Sequence, residues 1–354
     1  MNYKETLFFV AKCLTIFFEK KNKKEIEEQL KNEEIDWDAV VKLSTEHYVF
    51  PALYCNLKRA NFLQYLPEEL VNYMAHITTL NRERNQQIID QAKEINQLLL
   101  ENNITPIFLK GTGNLLEGLY EDIAERMVGD IDFLVAKEDC NKAFEILNNS
   151  GYNKLTELYD DFRHLPRLTS ANKIAAVEIH REMIKDKKAS FFNLDSIKST
   201  VISKNNCKIL SPENQIKLTI FSKFINDDAY ILKSIGLRPA YDTLCIFYAS
   251  KINLQLIEEK KMKKELNTGL RLYATILDKP KKMFFFPDDE NKKYVDKIIK
   301  SLDKNNSKNK LYTRYLFISE RFKILVKALY KKNYFNFVLS KVFERNWYKR
   351  RFGI

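Results

Sequence analysis

Glycine and proline are scarce, with eight of each in 354 residues. So few turn-formers exclude an all-β chain dense with hairpins and favour long helices. The five cysteines (Cys13, Cys55, Cys140, Cys207, Cys245) are widely separated, odd in number and never spaced Cys-x-x-Cys. That pattern argues against a disulfide framework or a zinc site and for free thiols in a reducing cytoplasm. No apolar run approaches the ~20 residues needed to cross a bilayer. The apolar stretch Leu7–Phe18 is broken by Lys12 and lacks both a basic leader and a small-residue cleavage site. Leu7, Val10, Ala11, Leu14, Phe17 and Phe18 share one helical face there, so an amphipathic helix is expected and not a signal peptide.

Hydrophobic residues make up 45% of the chain, enough for sizeable cores, and its length favours two domains or one core with helical additions. The formal net charge is +12, but residues 311–354 hold eleven Lys/Arg against two acids and so carry +9 of it. The body is therefore close to neutral and the basic character belongs to a tail in which Tyr, Phe and Trp alternate with Lys and Arg. Three readings of this tail stay open: RNA contact through phosphates and stacked bases, peripheral contact with an anionic membrane surface, or a helical pair packing its aromatics on the body.

Helical signals dominate both ends. Asp36 is placed to cap a helix carrying Val40, Val41 and Leu43, and Pro67-Glu68-Glu69 suits a first turn with proline at N1. From there to Asn102, apolar residues such as Ile88, Ala92, Ile95 and Leu99 recur at three- and four-residue steps, predicting a long helix laid against the next domain. Ser211-Pro212-Glu213 opens a second helical region, and the Asn/Lys/Ser-rich stretch Lys304–Lys310 is the best linker candidate. The expected organisation is a helical region over 1–99, a small mixed-sheet core over 100–205, a helical region over 206–303 and the basic tail over 311–354: an α+β protein.

The chemistry concentrates between Ile107 and Val135. An apolar run ends in Lys110-Gly111-Thr112-Gly113, and about twenty residues on a second run carries Asp130-Ile131-Asp132-Phe133. On a strand, Asp130 and Asp132 share one face while Ile131 and Phe133 share the other. Two adjacent carboxylates repel each other, and a divalent cation is the common reason to tolerate them. A helix beginning behind the Lys-Gly turn would offer backbone N–H groups to a phosphate. A third apolar run, Ile174–Ile179, puts Glu178 and His180 on one face. An Asp-x-Asp pair at a strand end serves either nucleotidyl transfer or transfer from a nucleoside diphosphate sugar. The phosphate turn upstream and the third carboxylate downstream suit the first, in which three carboxylates hold two Mg²⁺ ions.

These residues resemble a known family. Leu109-Lys110-Gly111, Leu119-Tyr120, Arg126, Gly129-Asp130-Ile131-Asp132-Phe133-Leu134-Val135 and Val177-Glu178-Ile179-His180 are similar to the bacterial uncharacterised nucleotidyltransferases of the DNA polymerase β-like superfamily. Softer matches at Asp36-Trp37-Asp38, His47–Leu53, His164-Leu165-Pro166, Leu210–Glu213 and Arg238 with Tyr241-Asp242 extend the likeness over about residues 35–250. The superfamily's usual phosphate turn is Gly-Ser, and Lys110–Gly113 stands in its place. The resemblance implies a nucleotidyltransferase core with Asp130, Asp132 and Glu178 as catalytic metal ligands for Mg²⁺, two ions, with Mn²⁺ as a substitute. Lys110, Gly111, Thr112, Gly113 and Arg126 would bind the nucleotide, Arg126 as partner to a phosphate or a carboxylate. The donor would be an NTP and the acceptor a hydroxyl on a small molecule, glycan precursor, protein or tRNA; Asp242 is placed near the site by the resemblance alone. Two other functions stay in view: a sugar-nucleotide glycosyltransferase using the Asp-x-Asp, and a catalytically silent nucleotidyltransferase fold serving as a binding module.

Overall fold

A computed structural model describes residues 1–32, 34–155, 162–253, 262–302 and 307–342. Its elements run α1 (Tyr3–Cys13), α2 (Lys20–Asn32), α3 (Trp37–Glu46), α4 (Phe50–Ala60), α5 (Glu68–Glu101), β1 (Ile107–Phe108), α6 (Lys110–Glu117), β2 (Asp130–Leu134), α7 (Cys140–Asn149), β3 (Asn153–Lys154), β4 (Leu168–Thr169), β5 (Ala176–His180), α8 (Leu194–Ile197), β6 (Ile202–Lys204), β7 (Cys207–Ile209), α9 (Pro212–Phe221), α10 (Ala229–Leu232) and α11 (Leu237–Ala249). Helices Lys263–Ile276, Asp289–Ser301, Ser307–Ala328 and Lys332–Val342 follow. Among the described residues no helix is long and apolar enough to cross a membrane.

Local chemistry sets the helix starts. Asn2 and Glu5 form a reciprocal capping box on α1, Asp36 accepts from the Ala39 N–H on α3, and Ser211 accepts from the Asn214 N–H with Pro212 opening α9. Pro67 stands at the N-cap of α5, one position before the expected N1. The first two core strands are shorter than their apolar runs. Thr105–Leu109 yields only Ile107–Phe108, and Met127–Val135 yields Asp130–Leu134.

The sheet is mixed, in the order β3-β4-β5-β2-β1-β7-β6. Central β2 runs antiparallel to β1 and parallel to β5, and β1 runs parallel to β7. The β2–β5 register sets Asp130 opposite Ala176, Asp132 opposite Glu178 and Leu134 opposite His180. Ile131, Phe133, Val177 and Ile179 are fully buried on the other face, which is what fixes the register: a slip of one residue would drive the carboxylates into the core.

The 34-residue α5, about 50 Å long at the usual rise, is the spine that joins the helical region to the sheet. Its inward face carries amides as well as aliphatics. Asn81 donates to the Ala124 carbonyl (2.7 Å) and Asn85 to that of Arg126 (2.7 Å). Gln91 exchanges hydrogen bonds with both backbone groups of Ala175, and Asn96 reaches the Asn206 carbonyl. These bonds satisfy buried loop backbone that no strand pairs and anchor the segments entering β2 and β5.

In the tail, helices Ser307–Ala328 and Lys332–Val342 pack on each other, and Ile318, Phe322, Leu329 and Phe335 are more than half exposed. Of the expected linker, residues 304–306 lie outside the described residues and Ser307 opens a helix.

Candidate active site

The carboxylates sit where three short elements meet. Asp130 and Asp132 come from β2 and Glu178 from β5, with the start of α6 alongside. α6 begins at Lys110, three residues earlier than the sequence suggests, and has no side-chain cap, so its first N–H groups have no capping side-chain acceptor. Lys110 itself has φ +51°, a left-handed backbone costly for a non-glycine residue and concentrated at functional sites. The glycines are fixed by close approach. A Cβ on Gly113 would stand 2.8 Å from the Phe108 carbonyl oxygen, and one on Gly111 would stand 2.9 Å from Val128 and 3.4 Å from the Arg126 guanidinium carbon. Thr112 is buried and turns its hydroxyl inward to donate to the Asp130 carbonyl at 3.0 Å, leaving its backbone as the part that faces the turn.

Each carboxylate is matched by a cation or donor. Lys110 Nζ lies 2.6 Å and His180 Nε2 2.7 Å from the same Asp132 oxygen. Arg167, just before β4, spans the other two, with Nη2 3.0 Å from Asp130 and 2.7 Å from Glu178. His164 Nε2 lies 3.7 Å from Glu178. The environments separate the three acids. Burial works to raise the Asp132 carboxyl, but the Lys110 charge and the His180 hydrogen bond outweigh it and hold the group well below the ordinary carboxylate value. For Glu178 burial again raises and the Asp132 charge adds to it, but the hydrogen bonds from His180 and Arg167 and the attraction of His164 bring the group below its ordinary value. Asp130 moves the other way: burial raises it, Glu178 and Asp132 add to that, and Arg167 only partly opposes.

Asp132, Glu178 and His180 bring one ligand atom each within 4.8 Å of one another, all buried. His180 Nδ1 has a donor, Arg163 Nη1, and an acceptor, the Glu182 carbonyl, each at 3.3 Å. The ring is therefore supported in either neutral tautomer, with Nε2 donating to Asp132 or presenting its lone pair. Two carboxylates and an imidazole form a donor set for a divalent cation, and the nitrogen suits Mn²⁺ at least as well as Mg²⁺. Asp130 shares Arg167 with Glu178 and lies outside that set of three. The residues thus fit the metal the sequence implies, with the cationic side chains holding the charge balance that a metal ion would take over.

Arg126, expected to meet a phosphate or a carboxylate, is buried and donates from Nε to both Asp242 oxygens at 2.9 Å and from Nη1 to the Met127 carbonyl at 2.6 Å. Tyr120 donates to the same Asp242 at 2.7 Å. Arg59–Glu125 and Arg82–Asp122 pairs flank it. The loop that delivers Asp130 is thereby pinned to α4, α5 and α11. Sequence reasoning missed Arg167. It is one residue past the noted His164-Leu165-Pro166 and carries no periodic signal. His180 was noted only for sharing a face with Glu178.

The short-stranded mixed sheet thus carries paired acids on its central strand, with a third acid in register beside them and an uncapped helix start at their flank. The model of the uncharacterised nucleotidyltransferase family matches residues 33–279, and the chain belongs to that family. Among solved structures it is similar to an antigenic nucleotidyltransferase-like protein from Paracoccidioides brasiliensis, at 14% identity and a TM-score of 0.37 over 55% of this chain and 93% of that one. No curated protein matches it.

Proposed function

We propose that the protein is a divalent-metal-dependent nucleotidyltransferase that moves a nucleotidyl group from an NTP to a hydroxyl acceptor. The oxygen of the acceptor attacks the α-phosphorus, the bond to the β-phosphate oxygen breaks, pyrophosphate leaves and the hydroxyl proton passes to a carboxylate. The observation that carries this reading is the register of β2 on β5, with Asp132 opposite Glu178, beside the uncapped start of α6.

Asp130, Asp132 and Glu178, with His180, would hold the metal, Mg²⁺ or Mn²⁺. When bound, the metal supplies Lewis-acid stabilisation of charge on the phosphates and the attacking oxygen. Lys110 and the N–H groups of the Lys110–Gly113 turn would hold the β- and γ-phosphates. Arg167 engages both Glu178 and Asp130, and Glu178 is held low by its neighbours. Thermal stability with each NTP, with and without Mg²⁺, tests the reading in wild type and Asp130→Asn/Asp132→Asn. Ligand at a hundred times its dissociation constant stabilises by ~2.7 kcal/mol. A Mg²⁺-dependent NTP shift lost in the double variant is expected; a shift with UDP-sugars alone, or with no nucleotide, would overturn it.

A further inference from the structure

Next to the carboxylates lies a cavity of about 980 Å³, the size of a small-molecule site. The α3–α4 junction, the stretch Ser222–Asp227 and the chain from Lys233 into α11 wall it; Lys110, which pairs with Asp132, links it to the carboxylate site, and the buried Arg126–Asp242 pair lines it as well. Its charge is unbalanced. Arg238, the second residue of α11, has no hydrogen-bond or ion-pair partner among the described residues; its guanidinium carbon lies 4.8 Å above the ring of Tyr48. Lys233 likewise has none, and among the described residues Lys223 pairs with Asp227 alone, at 3.6 Å.

Three effects act against Arg238 where it stands. It is largely desolvated and close enough to Arg126 for the like charge to be felt, and both lower its proton affinity, the Asp242 charge opposing them only in part. It also sits in the first turn of a helix that has no acid there and no side-chain cap, where the helix dipole disfavours a cation. A guanidinium kept in such a place and stacked on an aromatic is pre-organised for an anion. His47, on the same wall, accepts from the Leu237 N–H through Nδ1 and faces the Tyr3 hydroxyl through Nε2. It is thus fixed as the neutral ring, consistent with the positive surroundings.

We propose that this cavity binds the acceptor, that the acceptor is a phosphorylated hydroxyl compound, and that Arg238 is the main ligand of its phosphate, with Lys223 and Lys233 flanking. The assignment as acceptor rests on the nucleotidyltransferase reading. The donor's phosphates belong to the α6 turn, and the distal cations of the cavity serve a second anion.

Isothermal titration with inorganic phosphate and, separately, with Mg²⁺–NTP tests this on wild type, Arg238→Gln, Arg238→Lys and Asp130→Asn/Asp132→Asn, each checked for a wild-type circular dichroism spectrum. Phosphate binding is expected in wild type and in the aspartate variant. It should weaken roughly tenfold or more in Arg238→Gln, as for loss of a charge-assisted contact, and be largely retained in Arg238→Lys, while Mg²⁺–NTP affinity is unchanged in both Arg238 variants. Absent phosphate binding, or binding indifferent to Arg238→Gln, overturns the site. Equal loss of NTP and phosphate in Arg238→Gln overturns the acceptor assignment and gives the cavity to the donor. Intact phosphate behaviour with no NTP binding in wild type removes the premise of nucleotidyl transfer, and the acceptor assignment with it, while the anion site itself stands.

Discussion

The buried Arg126–Asp242 pair joins the loop entering β2 to α11, and Asp242→Asn removes its charge while keeping its volume. The two side chains are 9% and 4% exposed, so the usual screening of surface pairs does not apply. At ~4 Å between charge centres and an effective dielectric constant of about 20, the lost attraction is about 4 kcal/mol. The amide still accepts from Tyr120, so that bond weakens but survives. Arg126 is left buried with the Met127 carbonyl as its remaining strong acceptor. Breaking one side of a buried pair destabilises by about 3–5 kcal/mol, and a loss of about 3–4 kcal/mol is expected. Urea unfolding followed by near- and far-UV circular dichroism measures it, coincident transitions being the test that one free energy applies. Arg126→Met should be similarly destabilised, and the double variant less than the sum of the two. A loss below about 1 kcal/mol for Asp242→Asn, the range of an exposed pair, would refute the clamp.

Gly113→Ala places a methyl 2.8 Å from the Phe108 carbonyl oxygen and should cost about 1–3 kcal/mol, seen as a lowered melting temperature; an unchanged melt would mean that α6 can shift off β1. Burial and the Lys223 charge lower His47 from 6.5 to about 4, so its contribution is complete above pH 6.5 and is lost as pH falls through 4, because the unfolded state takes up the proton first. That loss is about 3 kcal/mol, and in His47→Gln the drop in stability between neutral pH and pH 4 should be smaller by that amount; identical drops would contradict the assignment. Arg167→Gln removes the guanidinium that shares Asp130 and Glu178, so divalent-cation affinity measured by titration should rise about tenfold, the scale of one charge-assisted contact; weaker binding would make Arg167 a support of the metal site instead of its competitor.

The parts legible in sequence were those with a local period or spacing. Asp130 and Asp132 follow from strand alternation, Glu178 from a third alternating run, and the α3 and α9 starts from capping residues. Long-range pairing was not legible. The Asn and Gln face of α5 looks solvated in sequence and instead satisfies loop backbone 38 to 110 residues away. Arg126 was visible as a candidate, but its burial depends on α11, 116 residues on. The cavity joins Asn2–Tyr3, Glu46–Tyr48 and the start of α11, segments that no periodicity relates. The early start of α6 was hidden because Lys110 adopts a left-handed φ that propensity assigns to glycine.

The most direct test uses NTPs labelled on either the α- or the γ-phosphate, incubated with the protein, Mg²⁺ and a panel of phosphorylated hydroxyl compounds. Nucleotidyl transfer puts the α-label in the product and the γ-label in pyrophosphate, both lost in Asp132→Asn. A product carrying the γ-label, or α-label transfer that persists in Asp132→Asn, would contradict the assignment of the β2–β5 carboxylates.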